Sequence, residues 1–305
     1  MVSPLRDIAK DKGGTYNWKT IAVTGGILEN RIGPLTGKVV WVTGSSRGIG
    51  RVVAGHMASL GAAVAVHGTT PFSTRAFNEA ESLEAVAQAI SREHRVDVLA
   101  LHGDLADEKT VQSLAANIRS RWGRIDILVN CAGGDVGARG AGGPMGGKPQ
   151  KNDALFISLE DIRSVLDRNL MTCILVCREV APEMMQRKAG RIVNFGSVGG
   201  LVGRKESVIY ATAKAAVHHY TRCLAAMLRP YNVTVNAVAP GDIVTARFVA
   251  SRKTEPERFA EGGALERYGR PIEVARTIGF LVSEGGSYIS GQIIRIDGGM
   301  QCWPA

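Results

Sequence analysis

The chain of 305 residues lacks the long apolar segments that mark membrane and secreted proteins. No apolar run reaches the ~18 residues that a membrane-spanning helix requires. The first residues, Met1–Asp7, do not form the continuous apolar core of a secretory signal. We therefore expect a protein that has no membrane partner.

Cysteine is scarce, and its spacing suggests no pairing. The five cysteines, Cys131, Cys173, Cys177, Cys223 and Cys302, are odd in number and scattered. This arrangement argues against a disulfide framework and predicts reduced thiols in a cytoplasmic protein. Cys173 and Cys177 lie one helical turn apart, but no second pair of ligands completes a metal site. We expect core thiols and no bound metal.

Neither aromatic residues nor clustered positive charge indicates a nucleic-acid-binding protein. Phe, Trp and Tyr make up 6% of the chain, and its 37 Lys and Arg residues, against 28 Asp and Glu, form no basic block. Basic stripes interleaved with aromatic residues are also missing, so nucleic acid is not an expected partner. The net charge of +9 suits an anionic small molecule or cofactor, or it serves solubility alone.

The patterns that are present divide the chain near residue 37. Residues 1–36 show no sustained periodicity and contain breakers such as Gly33–Pro34. Val23–Gly26 imitates a phosphate-binding loop but has no proper strand and helix beside it. We interpret 1–36 as an N-terminal extension that packs on the domain or on a neighbouring subunit. Residues 37–305 are expected to form a single α/β domain.

A strand, a glycine-rich turn and a helix open this domain. Val39–Val42 is a short apolar strand, Thr43–Gly50 contains three glycines, and the helix that follows is closed by Gly61. Ala63–Val66 is a second strand and completes a β-α-β unit. Glycines let the backbone approach a pyrophosphate, and the helix dipole favours its charge. The pattern therefore predicts a dinucleotide site.

A second group of residues suits proton transfer. Ser197 ends the predicted strand Arg191–Ser197, while Tyr210 and Lys214 lie four positions apart on a predicted helix and so share one face. A free tyrosine titrates near ~10, and we expect the adjacent ammonium to lower the pKa of the phenol. Ser197 would then hold a substrate oxygen. The alternative is a surface helix with an ordinary tyrosine and lysine, because this spacing is common by chance.

Taken together, these motifs resemble the short-chain dehydrogenase/reductase family, and the similarity runs from about Lys38 to Gly299. Further landmarks of the family occur in the expected order: Asp104–Leu105 after the third strand, Asn130–Gly133 after the fourth, Pro240–Thr245 after the sixth and Asp297–Gly299 after the last. Cys131 departs from the family's Asn-Ala-Gly motif, and we expect no chemistry from its thiol.

The resemblance implies a doubly wound Rossmann fold of the α/β class, with a mostly parallel seven-stranded sheet and helices on both faces. It also implies a catalytic tetrad in which Tyr210 is the acid/base and Lys214 binds the nicotinamide ribose. Ser197 polarises the substrate oxygen, and Asn169 supports a water relay. From the residues alone, Asn169 lies in an apolar helical stripe behind a capping box at Ser158–Asp161, where a buried amide needs a specific partner. A structural asparagine bonded to nearby backbone is the alternative.

NADP is the expected cofactor, and NAD is the alternative. No Asp or Glu occurs between Glu29 and Glu79, although folds that prefer NAD place a carboxylate at the end of the second strand. Arg47 is suited to pair with a 2′-phosphate, unless it is a solvated loop residue. By resemblance, the cofactor-binding residues are Gly44, Ser46, Arg47, Gly48, Ile49, Gly50, Thr69, Asp104, Leu105, Asn130, Ala132, Gly133, Tyr210, Lys214, Pro240, Gly241, Ile243 and Thr245.

Three predicted loops, Gly134–Lys151, Gly199–Ile209 and Ala246–Leu265, should line the substrate pocket. One hypothesis is that their cations bind a substrate with an acidic group, and the other is that they face solvent. A sugar or polyol dehydrogenase and a 3-oxoacyl-carrier reductase both remain open. The loops carry Asp135, Arg139, Lys148, Lys151, Arg204, Lys205, Arg247, Arg252, Lys253 and Arg258.

The sequence favours an NADP(H)-preferring oxidoreductase that interconverts a small-molecule ketone and a secondary alcohol. The alternative is a relative that senses the cofactor or acts as a scaffold without turnover. Family members are commonly tetramers or dimers built on the helices that carry Asn169 and Tyr210. A homo-oligomer is therefore expected, and Ala211, Ala215 and Ala216 would permit close contact between the helices.

Overall fold

The computed structural model describes residues 33–259 and 264–302. Most of the predicted extension, including Val23–Gly26, lies outside the described residues. Its last residues do not stand apart, because Leu35 is 1% exposed and its N–H donates to the Leu60 carbonyl at 2.9 Å. The boundary at residue 37 and the role of the extension stay predictions.

Seven parallel strands form a single sheet in the order β3-β2-β1-β4-β5-β6-β7. The chain runs outward from β1 in one direction through β2 and β3, and in the other through β4 to β7. This reversal leaves a crevice beyond the carboxyl ends of β1 and β4, where such sheets bind their ligands. The strands are β1 Val39–Thr43, β2 Ala63–Gly68, β3 Val98–His102, β4 Ile127–Asn130, β5 Gly190–Phe195, β6 Val233–Pro240 and β7 Ile293–Ile296.

Helices cover both faces of the sheet, so the predicted doubly wound fold is confirmed. Apolar side chains of α1, α2 and α9 bury one face, and those of α3, α6 and α7 bury the other. Within the described residues, no helix has the length and apolar character needed to cross a membrane. The helices are α1 Gly48–Ser59, α2 Leu83–His94, α3 Glu108–Trp122, α4 Pro144–Gly147, α5 Leu159–Leu166, α6 Thr172–Arg187, α7 Val208–Leu228, α8 Ala246–Ala250 and α9 Pro271–Val282.

The helix predicted behind Ser158 is present, with one feature that the pattern did not indicate. The Ser158 hydroxyl accepts the Asp161 N–H at 3.1 Å and so caps α5. Between α5 and α6 the chain makes a π-helical turn, Asp167–Met171, which contains Asn169. Such turns occur often at functional sites, because they release a backbone carbonyl from the regular helical ladder.

The glycine-rich turn brings backbone against backbone at two points. Gly44 has a φ of +63°, and a Cβ on it would lie 2.6 Å from the Ala132 Cα, so β1 and β4 end in contact. A Cβ on Gly50 would lie 2.4 Å from the Gly44 carbonyl oxygen. Only glycine allows this approach, which fixes the first turn of α1 against the end of β1.

We expect Gly50→Ala to destabilise the protein and to weaken dinucleotide binding, because the added methyl group must push the turn away. The free energy of unfolding should fall by about 1–3 kcal/mol. Gly55→Ala is the matched control in the same helix, since nothing lies within 4 Å of its added Cβ; it should be neutral or stabilise by up to about 1 kcal/mol. Denaturant unfolding and NADPH titration measure both effects. Equal behaviour of the two variants would contradict this account.

Candidate active site

A cleft of about 650 Å³ lies beyond the carboxyl ends of the strands. Ser197, Tyr210 and Lys214 line it, and so do all the predicted cofactor-binding residues except Asn130. A cavity of this size is typical of small-molecule and cofactor sites. The structure therefore brings the predicted dinucleotide-binding turn and the predicted proton-transfer residues into one cleft.

A buried histidine holds the glycine-rich turn in place. The Gly44 N–H donates to His67 Nδ1 at 3.1 Å, and the Ser46 N–H donates to the His67 carbonyl at 3.0 Å. Nε2 lies 3.0 Å from the Gly103 carbonyl, so these partners place the ring proton on Nε2. Burial lowers the pKa of His67 to about 4, which keeps the ring neutral and Nδ1 free to accept. His67 was not among the predicted site residues, although a histidine in the apolar strand Ala63–Gly68 was a signal.

The loop after β2 brings a carboxylate to the same turn. Glu79 Oε2 accepts the Gly48 N–H at 2.8 Å, whereas Oε1 is buried and has no hydrogen-bond partner. Arg47 donates to the Ser73 carbonyl and lies 5.4 Å from the centre of the Phe77 ring. Burial lowers the pKa of Arg47, and the nearby charge of Glu79 opposes that shift. Arg47 is thus a half-buried member of the cleft and not a solvated loop residue.

Tyr210, Ser197 and Lys214 meet at the other side of the turn. The Ser197 hydroxyl accepts the Gly199 N–H at 3.1 Å, and it lies close enough to the Tyr210 phenol to lower the pKa of that phenol. Lys214 Nζ lies 5.7 Å from the centre of the Tyr210 ring and donates to the Phe195 carbonyl at 2.8 Å. This arrangement presents one phenol, one hydroxyl and one ammonium to the cleft.

The predicted effect of Lys214 on the pKa of Tyr210 is wrong for this arrangement. Burial raises the pKa of Tyr210 above its usual value, and the Ser197 hydrogen bond and the positive charge of Arg247 oppose the rise. Lys214 is itself only 3% exposed, and burial lowers the pKa of its ammonium to about 8. Burial outweighs the neighbours that favour the phenolate, because it penalises the charged form of both side chains.

Asn169 lies beneath the cleft, and all of its side-chain hydrogen bonds are to backbone. Its Nδ2 donates to the carbonyls of Gly134 and Val165, both at 2.8 Å, and its Oδ1 accepts the Gly134 N–H at 2.9 Å. A Cβ on Gly133 would lie 2.7 Å from Asn169 Oδ1 and 3.2 Å from Lys214 Nζ, so the three groups are adjacent. Asn169 therefore fixes the turn over Lys214, and its part in a water relay stays a prediction.

Asn130 does not reach the cleft, in contrast to its predicted place among the cofactor-binding residues. Its Nδ2 donates to Asn194 Oδ1 at 2.9 Å and to Cys177 Sγ at 3.1 Å, inside the core. The side chain of the last residue of β4 alternates away from the crevice, so it ties β4 to β5. Cys131, the next residue, does line the cleft. Burial raises the pKa of its thiol to about 12, which agrees with the expectation of an inert group.

A second buried histidine supports the turn that carries Ser197. The Ser197 N–H donates to His218 Nε2 at 3.3 Å, so the ring proton lies on Nδ1, which has no hydrogen-bond partner. Burial and the charge of Lys214 lower the pKa of His218 to about 4. A neutral histidine thus accepts a backbone N–H beneath each of the two turns that face the cleft.

The structure separates the predicted loop cations into two groups. Lys148, Arg204, Arg247 and Arg252 line the cleft, together with Asp135. The remaining cations do not line it, and these are Arg139, Lys151, Lys205, Lys253 and Arg258. Arg168 also lines the cleft and was missed, because it lies inside a helical stripe rather than a loop.

Comparison with known proteins agrees with this geometry. A family model described as enoyl-(acyl carrier protein) reductase, of the short-chain dehydrogenase/reductase family, matches residues 44–301. The chain belongs to the short-chain dehydrogenase/reductase family. It is therefore an oxidoreductase, and the predicted resemblance is confirmed.

The relatives of this short-chain dehydrogenase/reductase include several activities. A 3-oxoacyl-[acyl-carrier-protein] reductase of Aquifex aeolicus is 37% identical over 87% of this chain and 98% of the relative. A cyclohexanol dehydrogenase of a Rhodococcus species is 37% identical over 88% of this chain and 97% of the relative. A solved 3-oxoacyl-[acyl-carrier protein] reductase of Brucella melitensis with bound NAD has a TM-score of 0.71 at 27% identity and covers 88% of this chain and 93% of its own.

We expect this short-chain dehydrogenase/reductase to lose stability as the pH falls from about 6.5 to about 4. Both histidines must become protonated in the unfolded chain below ~6.5, whereas in the fold they resist protonation down to about 4. The unfolded state binds more protons in this window, so acid favours it. Between about pH 7.5 and about pH 5, each histidine should account for a loss of about 2 kcal/mol.

Denaturant unfolding of wild type and His218→Gln at both pH values measures this loss. The glutamine oxygen can still accept the Ser197 N–H, but it does not titrate, so the stability of this variant should depend less on pH. His219→Gln, at an exposed position of the same helix, is the matched control and should behave as wild type. An unchanged pH dependence in His218→Gln would contradict the role of the neutral ring.

Proposed function

We propose that the protein is an NADP(H)-preferring oxidoreductase that interconverts a ketone and a secondary alcohol, with Tyr210 as the acid/base. The observation that carries the proposal is the meeting of Ser197, Tyr210 and Lys214 in one cleft beside the glycine-rich turn. A cyclohexanol dehydrogenase and a 3-oxoacyl-carrier reductase among the relatives support this reaction class.

The raised pKa of Tyr210 indicates how the proton moves. A half-buried, protonated phenol is ready to donate to the oxygen of a ketone as that oxygen gains negative charge. Ser197 holds the same oxygen through its hydroxyl and keeps it in reach of the phenol. In the direction of alcohol oxidation, Tyr210 must first lose its proton to solvent, so that rate should rise with pH. Lys214, charged below about 8, stabilises the phenolate that remains after donation.

The residues present fit a nicotinamide dinucleotide. The turn at Gly44, Gly48 and Gly50 leaves no room for a Cβ at two of its three glycines and lies at the start of α1, where the helix dipole favours an anion. These residues would hold the phosphates, and Lys214 and Tyr210 the nicotinamide ribose. When bound, the nicotinamide supplies or accepts the hydride.

Arg47 supports a preference for NADP(H). No acidic side chain follows β2 directly, where Gly68, Thr69 and Thr70 occur, and Arg47 is held beside them by the Ser73 carbonyl. Glu79 acts in the opposite direction, since its negative charge lies close to any phosphate that Arg47 would bind. The relative with bound NAD shows that the fold accepts NAD, which remains the alternative cofactor.

A homo-oligomer built on α6 and α7 also stays a proposal. Ala215 is exposed and Ala216 is half-buried on α7, so both can meet a neighbouring helix. Ala211 is 9% exposed within the chain itself and does not contribute to that surface. The cytoplasmic location predicted from the scattered thiols likewise remains a prediction.

We expect Tyr210→Phe to lower kcat by about 10²–10⁴-fold, because the variant lacks the proton that the reaction needs. NADPH should still bind, since the ring and its packing are kept. Tyr288→Phe, at a fully exposed position, is the matched control and should keep wild-type activity. Turnover followed at the nicotinamide absorbance over a panel of ketones and alcohols measures the effect. Full activity in Tyr210→Phe, or no turnover by wild type, would favour the scaffold or cofactor-sensing alternative.

We expect Arg47→Ala to raise the Kd for NADPH about tenfold or more, because a charge-assisted hydrogen bond contributes about 1.5–3 kcal/mol. NADH binding should change little. Glu79→Gln should act oppositely and tighten NADPH, since it removes a negative charge beside the phosphate. Arg75→Ala, which removes an exposed cation of the same loop outside the cleft, is the control. Equal losses for NADPH and NADH in Arg47→Ala would contradict the preference.

A further inference from the structure

One wall of the cleft carries three cations, and two of them form no ion pair with a described residue. We call this the cationic wall and define it as Lys148, Arg247 and Arg252. Lys148 directly follows α4, Arg247 lies in α8, and Arg252 follows α8. The two short helices are in contact, because a Cβ on Gly146 would lie 3.1 Å from the Ser251 Cβ. All three cations line the same cleft as Tyr210 and Ser197.

Arg247 is fixed by neutral partners. Its Nε donates to the Gly146 carbonyl at 3.0 Å, and its Nη2 donates to the Asp135 carbonyl at 2.6 Å. Its Nη1 would lie 3.2 Å from a Cβ on Gly134, so the guanidinium reaches the turn that Asn169 holds over Lys214. Among the described residues, no carboxylate lies within ion-pair distance of it. The guanidinium is therefore held rigidly without an ion pair, and the charge of Asp135 balances it only from a distance.

Lys148 has even fewer partners. Its ammonium is half-buried and forms no hydrogen bond or ion pair with any described residue. Burial and the neighbouring charges of Arg252 and Arg247 lower its pKa, and the charges of Asp135 and Glu206 oppose the fall without forming an ion pair with it. Arg252 is different, since it pairs with Asp242 at 2.7 Å and closes the wall on its solvent side. A half-buried charge without a counter-ion is costly, so its presence in a substrate cleft points to an anion that arrives with the ligand.

Asp135 supplies a hydrogen-bond acceptor in the same cleft as these cations. Its side chain is 6% exposed and lines the cleft; Oδ2 accepts Asn152 Nδ2 at 2.8 Å, while Oδ1 has no hydrogen-bond partner. A carboxylate oxygen only accepts, so a ligand hydroxyl is the group that would satisfy it. The cleft thus offers two cations of the cationic wall, Lys148 and Arg247, for an anion and one acceptor, Asp135, for a hydroxyl.

We propose that the cationic wall binds the carboxylate of a small hydroxy or oxo acid, with a further hydroxyl of that acid donated to Asp135 and the reacting oxygen at Tyr210. The proposal rests on the proposed function, because it assigns the other end of the same substrate. An uncharged acyl chain would leave Arg247 and Lys148 without counter-ions. A hydroxy acid satisfies the cations and the Asp135 acceptor together.

The test compares gluconate with sorbitol, two six-carbon polyols that differ by a carboxylate in place of a primary alcohol. Oxidation is followed at the nicotinamide absorbance with NADP⁺ and NAD⁺ in parallel, and a 3-oxobutanoyl thioester is assayed for reduction. Wild type should show at least a tenfold higher kcat/KM for gluconate than for sorbitol. Lys148→Met should lose this preference through a raised KM with little change in kcat, and Lys253→Gln, outside the cleft, should keep it.

A second variant and a binding measurement distinguish failure of the anion site from failure of the proposed function. Arg247→Lys retains charge but loses the two carbonyl contacts, so it should raise the KM for gluconate less than Lys148→Met combined with Arg247→Lys. Calorimetric titration of gluconate into the NADP⁺ complex should detect binding that Lys148→Met weakens about tenfold. Turnover of sorbitol or the thioester without any preference for gluconate, together with no gluconate binding, would overturn the anion site alone. No turnover with any compound, alongside intact gluconate binding, would overturn the proposed function and leave the anion site standing.

Discussion

Burial in the cleft penalises charge, and most features of the site follow from that constraint. It raises the pKa of Tyr210, lowers that of Lys214 to about 8 and holds His67 and His218 neutral. A protonated phenol is a proton donor, and a neutral imidazole is an acceptor for backbone N–H groups. The loss of water that keeps Tyr210 protonated therefore also keeps His67 and His218 neutral. In that form they accept backbone N–H groups of the glycine-rich turn and of the turn that carries Ser197.

Groups that cannot become neutral respond to this constraint in another way. Arginine stays charged in proteins, so Arg47 and Arg247 remain cations even where burial disfavours the charge. One is held by the Ser73 carbonyl and the other by the carbonyls of Asp135 and Gly146. Neutral carbonyls orient a guanidinium without cancelling its charge. Both guanidinium groups line the cleft, which is thus suited to anions beside the uncharged phenol of Tyr210.

The sequence predicted those parts of the fold and site that depend on local pattern. Apolar strands, the glycine-rich turn and the Tyr210–Lys214 spacing each reflect a short stretch of chain, and the structure has all of them. Contacts between distant segments were not predictable in this way. Glu79 reaches Gly48 only because the loop after β2 folds back, and Asn130 faces the core because of its place in the strand. His67 serves the turn across the β1–β2 pairing, a contact that no spacing in the sequence shows.

The wrong expectation for Tyr210 has the same origin. Spacing on a helix says that an ammonium and a phenol are neighbours, but it does not say how much water either group keeps. Here the ammonium donates to the Phe195 carbonyl, while Ser197 and the charge of Arg247, which comes from a segment far along the chain, lower the pKa of the phenol. Whether a lysine acidifies a tyrosine depends on the difference between attraction and desolvation, and only the three-dimensional surroundings fix that difference. For Tyr210, burial raises the pKa, and the charge that opposes this rise comes from Arg247 in α8 and not from Lys214 as expected.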